Sequence, residues 1–124
     1  MKYIETTRSV KPLGPYSQAV SEKGLIFVSG VLGMDPTTNA LVAGGIKEQT
    51  ARALENMKGV LEEGGSSLQK VLKVTIFLKE GGLFKDMNEV YASFLGNHKP
   101  ARSTVVCGFA KEGALVCIDA IASV

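Results

Sequence analysis

The segment 114–122 constrains the fold of this chain of 124 residues more than any other, because it is apolar on both faces of the strand that it predicts. Successive side chains of a strand point to opposite faces of a sheet. One face would carry Ala114, Val116, Ile118 and Ala120, and the other would carry Leu115, Cys117, Asp119 and Ile121. A strand of this kind belongs inside a sheet that is covered on both sides.

The remaining pattern predicts two helices and five further strands. Residues 46–63 repeat apolar side chains at helical spacing and end at Gly64-Gly65, and residues 83–95 do the same before Gly96-Asn97. The other strands are expected at 3–6, 17–21, 25–29, 71–78 and 103–107. This order favours one α+β domain over residues 1–124, a mixed sheet with both helices on one face. Two helices cover only one face of such a sheet, so the other face should be buried against another subunit, and we expect a homo-oligomer.

Composition and charge exclude several classes of protein. The net charge is +2 and no basic run is present, so strong sequence-independent binding to nucleic acid is not expected. No apolar run reaches the ~18 residues of a membrane span and the first residues do not resemble a secretory signal, so we expect no membrane partner and a cytoplasmic location. In that compartment Cys107 and Cys117 are expected to be reduced thiols. One histidine, His98, and no Cys-x-x-Cys pair predict no metal site.

Arg102 is the strongest candidate for a binding residue. It lies in the run Lys-Pro-Ala-Arg-Ser-Thr at 99–104, at the entrance to an apolar strand. Arginine is rarely left among apolar side chains without an anionic partner, and its planar guanidinium matches a carboxylate with two parallel hydrogen bonds. The residue types leave two alternatives open, a ligand carboxylate or a structural ion pair with Asp119 or Glu89.

Several motifs together resemble the RidA/YjgF family, also labelled endoribonuclease L-PSP-like. The matching stretches are Gly-Pro-Tyr-Ser-Gln-Ala at 14–19, Phe-Val-Ser-Gly at 27–30, Met-Asp-Pro at 34–36, residues 49–61 and 71–78, Met-Asn-Glu-Val-Tyr at 87–91, Pro-Ala-Arg-Ser at 100–103 and Ile-Asp-Ala-Ile-Ala at 118–122. The resemblance runs from about residue 3 to residue 122. The first of these motifs and Pro-Ala-Arg-Ser are specific when they occur together at this spacing.

The resemblance implies a chorismate-mutase-like α+β subunit that assembles as a homotrimer, with sites in the clefts between subunits. It also implies an activity, the hydrolysis of reactive enamine and imine acids such as 2-aminoacrylate to a 2-oxo acid and ammonia. It implies no cofactor. The expected partners are therefore a small imino or oxo acid and further copies of the chain.

The same resemblance makes Arg102 the carboxylate-binding residue and places Tyr16 in the cleft, where its hydroxyl could donate a proton. Ser29 and Gly30 are expected to end a strand, where the glycine allows close approach and its amide can meet a carboxylate oxygen. The alternatives are a core-capping ring for Tyr16 and a simple turn for Gly30.

Two further residues complete the expected binding site. Thr104 lies two residues beyond Arg102, on the same strand face, where its amide and hydroxyl could supply another donor. Asn88 lies on the second helix and could orient the site. An exposed polar position on that helix explains Asn88 equally well.

The C-terminal strand departs from the family pattern at one important position. Family members with deaminase activity typically end in Ile-Glu-Ile-Glu-Ala-Ile-Ala, and the first Glu is thought to position or activate the water. Counted from Arg102 without a gap, Cys117 takes the position of the first Glu and Asp119 that of the second. A buried thiol with a raised pKa is a poor base. Asp119 shares its strand face but lies roughly 6.5–7 Å farther along and is shorter than Glu. Val31 replaces the family's usual Gln and makes this part of the cleft more apolar.

Three functions follow as hypotheses. The first is a cofactor-free deaminase of imino acids, with Arg102, Tyr16, Cys117 and Asp119 as candidate catalytic residues. The second is a non-catalytic binder of small carboxylates or a regulatory trimer, which the Cys117 replacement favours. The third is the ribonuclease of the family's other label, which a single histidine and a near-neutral charge support least. Cys117 as a nucleophile is a further alternative, since Arg102 would lower the thiol pKa if the two were close.

Overall fold

The computed structural model describes all residues, 1–124. Their elements are, in order, β1 (Lys2–Ile4), β2 (Ala19–Glu22), β3 (Leu25–Leu32), β4 (Met34–Asp35), β5 (Ala40–Leu41), α1 (Ile46–Glu63), β6 (Val71–Leu78), α2 (Phe84–Leu95), β7 (Ala101–Val106) and β8 (Val116–Ser123). Short 3-10 turns at Leu68–Lys70 and Gly81–Leu83 precede β6 and α2. Neither α-helix is long and apolar enough to cross a membrane.

Six of the strands form one mixed sheet in the order β1-β2-β3-β8-β6-β7. Neighbouring strands are antiparallel except β6 and β7, which are parallel and are joined through α2. The strand that is apolar on both faces, β8, lies inside this sheet between β3 and β6. The predicted α+β class and mixed sheet are confirmed.

Both helices pack on the same face of the sheet. Every second residue of β8 is buried beneath them, Val116, Ile118, Ala120 and Ala122, and α1 contributes Ala53, Leu54, Met57, Val60 and Leu61 to the same core. α1 begins after Gly45, whose N–H is accepted by the Glu48 carboxylate at 2.8 Å, and the chain leaves it at Gly64. The helix limits 46–63 agree with the prediction, and α2 begins one residue later than expected.

No helix lies on the opposite face of the sheet, which we call the open face. It carries Phe27, Lys73, Thr75, Phe77, Ser103, Val105, Cys117, Asp119 and Ile121, as the strand registers require. The β8 residues of this face are half-buried, whereas those of the helix-covered face are buried. The open face is thus less apolar than expected, because Lys73, Thr75 and Asp119 interrupt it.

Side-chain hydrogen bonds explain why several strand limits differ from the prediction. The Gln18 side chain accepts a hydrogen bond from the Thr6 N–H and donates one to the Thr6 carbonyl. Neither backbone group is then free for sheet pairing, so β1 ends at Ile4 rather than Thr6. The Leu115 N–H is donated to the Gln49 side chain at 2.8 Å, so β8 begins at Val116. Such bonds compete with sheet pairing and leave no periodicity in the sequence.

The prediction that a strand ends at Ser29-Gly30 is wrong. β3 continues to Leu32, with a register shift against β8 between Val28 and Val31. A bulge of this kind keeps the strand in the sheet while it re-aims the side chains around the irregularity. The β4–β5 hairpin was not predicted, since its strands have only two residues each.

Gly33 marks the closest approach between the end of β3 and α1. A Cβ atom on it would lie 2.5 Å from the Gln49 carbonyl oxygen and 2.6 Å from the Gln49 Cα atom. We expect Gly33→Ala to lower the free energy of unfolding by about 1–3 kcal/mol, because backbone atoms must shift to accept the methyl group. Urea unfolding followed by circular dichroism measures this change. Gly82→Ala is the control, since no atom lies within 4 Å of its Cβ position, and equal midpoints for both variants would contradict the packing.

Candidate functional site

Arg102 lies on β7 and faces the helix-covered side of the sheet. Its register partner on β6 is Val74, a buried core residue. The guanidinium carbon lies 4.9 Å from the ring centroid of Tyr91 and 5.6 Å from that of Phe84, both on α2. These distances are within the range of a cation–π interaction. The charge of Arg102 therefore lies against two aromatic rings of α2.

The structural ion pair that the sequence left open for Arg102 is absent from the subunit. Glu89 instead pairs with Lys47 of α1 at 3.1 Å. Asp119 pairs in register with Thr75 on the open face, whereas Arg102 shares a face with Val74. None of the three salt bridges of the subunit includes Arg102. Its charge consequently has no carboxylate partner within one copy of the chain.

A cleft of about 330 Å³ opens beside Arg102. It is lined by Asn88, Tyr91, Ala92, Leu95, Gly96, His98, Lys99, Pro100 and Arg102. Thr104 pairs in register with Ile76, so it shares the face of Arg102, as predicted from the strand period. Arg102, Asn88 and Thr104 form what we call the arginine group. The structure brings these three candidate residues to one region between β7 and α2.

Tyr16, Ser29 and Gly30 line a second, smaller cavity of about 80 Å³. The Ser29 hydroxyl donates to the Ser17 carbonyl at 2.6 Å, so it is engaged in holding the chain. The Tyr16 hydroxyl accepts the Leu13 N–H at 3.3 Å, which leaves its own proton free to be donated. The ring of Tyr16 is 54% exposed, so it does not cap the core.

Cys117 lies against Gly30. A Cβ atom placed on Gly30 would come within 2.7 Å of the Cys117 sulfur, so only glycine fits beside this thiol without displacing it. We call Tyr16, Ser29, Gly30 and Cys117 the glycine group. In the sequence only the Ser-Gly motif pointed to Gly30, and no spacing between residues indicated that Gly30 lies beside Cys117.

The thiol of Cys117 is protonated at neutral pH. Burial, aided by the negative charge of Asp119 and by Cys107, raises its pKa to about 11. Both cysteines are free. Arg102 does not contribute to this pKa, because it lies on another strand and on the other face of the sheet. A thiol in this state is a weak nucleophile and a weak base.

Asp119 lies on the open face with Cys117, two residues along β8. Burial raises the pKa of its carboxyl group, while Thr75 and Lys73 oppose that shift. Lys73 also donates to the Ser103 hydroxyl at 3.0 Å. Asp119 is thus part of a polar cluster on the open face and does not belong to either group of candidate residues.

One subunit cannot bring the arginine group and the glycine group together. Arg102 is on β7 and Cys117 on β8, with β6 between them, which separates the strands by roughly 9–10 Å. The two side chains also point to opposite faces of the sheet. The two halves of the expected site therefore lie apart within the subunit.

From the sequence alone, neither Tyr91 nor Phe84 was assigned a role in the site. Both rings lie against Arg102, and Tyr91 also lines the same cleft as Asn88. Tyr91 follows Asn88 by three residues, which places both on one side of a helix. That spacing could have identified Tyr91 once Asn88 was singled out.

Comparison with known proteins agrees with the fold and the motifs. A family model described as Endoribonuclease L-PSP matches residues 6–124. A RutC family protein of Pyrococcus abyssi is 47% identical over 119 residues, which cover 96% of this chain and 94% of that protein. The 2-iminobutanoate/2-iminopropanoate deaminase of Mus musculus is 36% identical over 121 residues, covering 98% and 90%. The crystal structure of E. coli TdcF with bound serine superposes with a TM-score of 0.94 at 32% identity, covering 100% of this chain and 99% of that one.

The six-stranded mixed sheet with its layer of two helices is therefore the fold of the RidA/YjgF proteins. With a family model matched over almost its whole length, the chain belongs to the RidA/YjgF family, which is also described as endoribonuclease L-PSP.

Proposed function

We propose that this protein is a cofactor-free deaminase that hydrolyses reactive enamine and imine acids to 2-oxo acids and ammonia. The observation that carries the proposal is the Arg102 guanidinium, which lines a cleft and has no carboxylate partner in the subunit. Relatives named as deaminases support it, among them the mouse enzyme for 2-iminobutanoate and 2-iminopropanoate. The bound serine of E. coli TdcF also supports it, since serine carries the same α-carboxylate as an imino acid.

We further propose that the site forms between copies of the chain in a homotrimer. The separation of the arginine group from the glycine group supports this arrangement, because only a second copy can supply the missing half. The half-buried open face supports it as well, since it offers apolar surface such as Phe27, 44% exposed, for contact between subunits. Each site would then combine Arg102 of one copy with Gly30 and Tyr16 of the next.

The chemistry needs three operations. The carboxylate must be held, the imine nitrogen protonated and a water brought to the C=N carbon. Arg102 would hold the carboxylate with two parallel hydrogen bonds, and the Gly30 amide would bind one of its oxygens. The Tyr16 hydroxyl, whose proton is free, would donate to the imine nitrogen. Asn88 would orient the carboxylate from α2. Because a protonated imine is attacked by water, the reaction can proceed without a base, although a base would speed it.

We assign the small cavity beside Gly30 to the side chain of the substrate, and its largely apolar lining predicts a preference for an apolar side chain. Val10, Leu13, Val31 and Met34 contribute apolar surface to it. Lys11 is the one charged residue of the lining and is exposed, so a carboxylate placed there would lose hydration for a partner whose charge is screened by solvent. We expect 2-oxobutanoate, an analogue of the product, to bind at least about 10-fold more tightly than oxaloacetate, as measured by titration calorimetry. Equal affinities would contradict the assignment of this cavity to the side chain.

The activity itself has a direct test. A serine dehydratase releases 2-aminoacrylate, and the formation of pyruvate from it is followed with and without this protein. Acceleration by the wild-type chain, and its loss in Arg102→Ala, is the expected result. If the wild type gives no acceleration, the proposal is wrong.

A second candidate function is a non-catalytic binder of small carboxylates or a regulatory trimer. The observation in its favour is the Cys117 thiol, which has a pKa of about 11 and stands where active family members have glutamate. Tight binding of 2-oxo acids without turnover would support it. The ribonuclease function has less support, since the one histidine, His98, bonds to the Val71 carbonyl at 2.7 Å and no second histidine is available as its acid–base partner.

A further inference from the structure

We propose that Tyr91 and Phe84 are positioning residues for Arg102, and that their rings take the place of a counter-ion while a substrate carboxylate is absent. The inference rests on the proposed binding of a carboxylate by Arg102. It assigns the role to the two rings of α2, which hold the guanidinium without occupying its hydrogen-bond donors.

The geometry fits a cation held by π faces. The guanidinium carbon lies 4.9 Å from the centroid of Tyr91 and 5.6 Å from that of Phe84. A carboxylate would accept hydrogen bonds from the five N–H groups of arginine. A ring instead attracts the cation through its face and leaves these donors unoccupied. The fork of Arg102 therefore stays available to a ligand, although the side chain is fixed in place.

The carboxylates of α2 do not pair with Arg102. On α2 the acidic residues are Asp86 and Glu89, and both interact with Lys47 of α1. Glu89 forms the salt bridge, at 3.1 Å, and the charge of Asp86 adds to the raised pKa of Lys47. Neither acidic residue of α2 forms a salt bridge with Arg102 in the subunit.

Removal of the Tyr91 hydroxyl group distinguishes an effect of the aromatic ring from an effect of the phenol oxygen. This hydroxyl group is buried and forms no hydrogen bond of normal length and angle. Burial raises its pKa, and the nearby Arg102 guanidinium partly offsets that shift. If the ring carries the function, removal of the oxygen should change little. Tyr91→Phe is consequently expected to behave as wild type, while Tyr91→Leu, which keeps apolar volume but loses the π face, should not.

The test measures the dissociation constant of 2-oxobutanoate for the wild type and four variants by titration calorimetry. Cation–π interactions of about 0.5–2 kcal/mol correspond to roughly 2- to 30-fold in affinity, and we expect about 10-fold weaker binding for Tyr91→Leu and about 3-fold for Phe84→Leu, whose ring is farther away. Tyr91→Phe should stay within about 2-fold of wild type. Tyr3→Leu is the matched control, because Tyr3 is 72% exposed on the edge strand β1.

Steady-state kinetics on 2-aminoacrylate distinguishes positioning from loss of structure. We expect Tyr91→Leu to raise KM and leave kcat within about 2-fold, since the rings act on carboxylate binding and not on the reacting C=N carbon. Wild-type affinity in both leucine variants would overturn the inference, and so would an equal loss in Tyr91→Phe and Tyr91→Leu. If Tyr91→Leu does not fold, Phe84→Leu decides alone. Failure of the wild type to bind 2-oxobutanoate would overturn the proposed function, and the inference with it.

Discussion

Replacement of Arg102 by alanine should weaken the binding of 2-oxobutanoate by at least about 100-fold, because it removes two charge-assisted hydrogen bonds of about 1.5–3 kcal/mol each. The fold should survive this change. Arg102 forms no salt bridge in the subunit, and the core beneath it consists of apolar residues that do not depend on its charge. Titration calorimetry on the purified variant measures the loss of affinity, and the thermal midpoint reports its stability.

Arg8→Ala is the matched control for that result. Arg8 is also a partly exposed arginine, but it is paired with Glu62 at 2.7 Å on the surface of α1. A surface ion pair contributes little to stability and none to a remote site. We expect wild-type affinity in Arg8→Ala. If Arg102→Ala kept its affinity for 2-oxobutanoate, Arg102 would not be the carboxylate-binding residue.

Replacement of Cys117 by glutamate should increase the turnover of 2-aminoacrylate by about 100-fold, within the range that a general base contributes. The protonated thiol, with its pKa of about 11, cannot take a proton from water at neutral pH. A carboxylate at the same position would lie beside Gly30, where the water must arrive. Burial should raise the pKa of that carboxyl group toward neutrality, which suits a base.

The readout for Cys117→Glu is pyruvate formation at fixed 2-aminoacrylate supply. Tyr3→Glu serves as the control, since Tyr3 is 72% exposed on the edge strand β1 and belongs to neither group of candidate residues. An unchanged rate in Cys117→Glu, with normal binding of 2-oxobutanoate, would show that a base at this position does not limit the reaction.

Much of the fold could be predicted because its signals are local. The spacing of apolar residues identified both helices, and Gly64-Gly65 marked the end of the first. The limits 71–78 of β6 follow from a largely apolar segment in which Lys73 and Thr75 alternate with buried residues. The two apolar faces of the C-terminal strand correctly indicated a place inside the sheet.

The features that the sequence did not reveal depend on distant contacts. The bulge between Val28 and Val31 arises from pairing with β8, which is about ninety residues away along the chain. Gln18 and Gln49 end or delay strands through side-chain bonds to residues that no periodic pattern connects with them. These bonds account for the early end of β1 and the late start of β8, but not for the shifted limits of β2 (19–22 instead of 17–21) and β7 (101–106 instead of 103–107).

The sequence singled out several residues that line the two cavities, but it did not reveal their arrangement. The strand period correctly placed Thr104 on the face of Arg102, and motifs identified Tyr16 and Gly30. The division into two groups on opposite faces requires the register of β7 against β6 and of β6 against β8, which a single sequence does not contain. The same register excludes the Arg102–Asp119 ion pair.

The most direct test of the account is complementation between two inactive variants. Arg102→Ala removes the arginine group, and Tyr16→Ala in a separate chain disables the glycine group. When the two are co-expressed with different tags and purified as a mixed trimer that contains both chains, one of the three sites is intact, so about one third of the wild-type rate on 2-aminoacrylate should be restored, if each site takes one group from each of two copies. Each variant alone should be inactive. A mixed assembly that contains both chains and shows no activity would contradict a site shared between subunits.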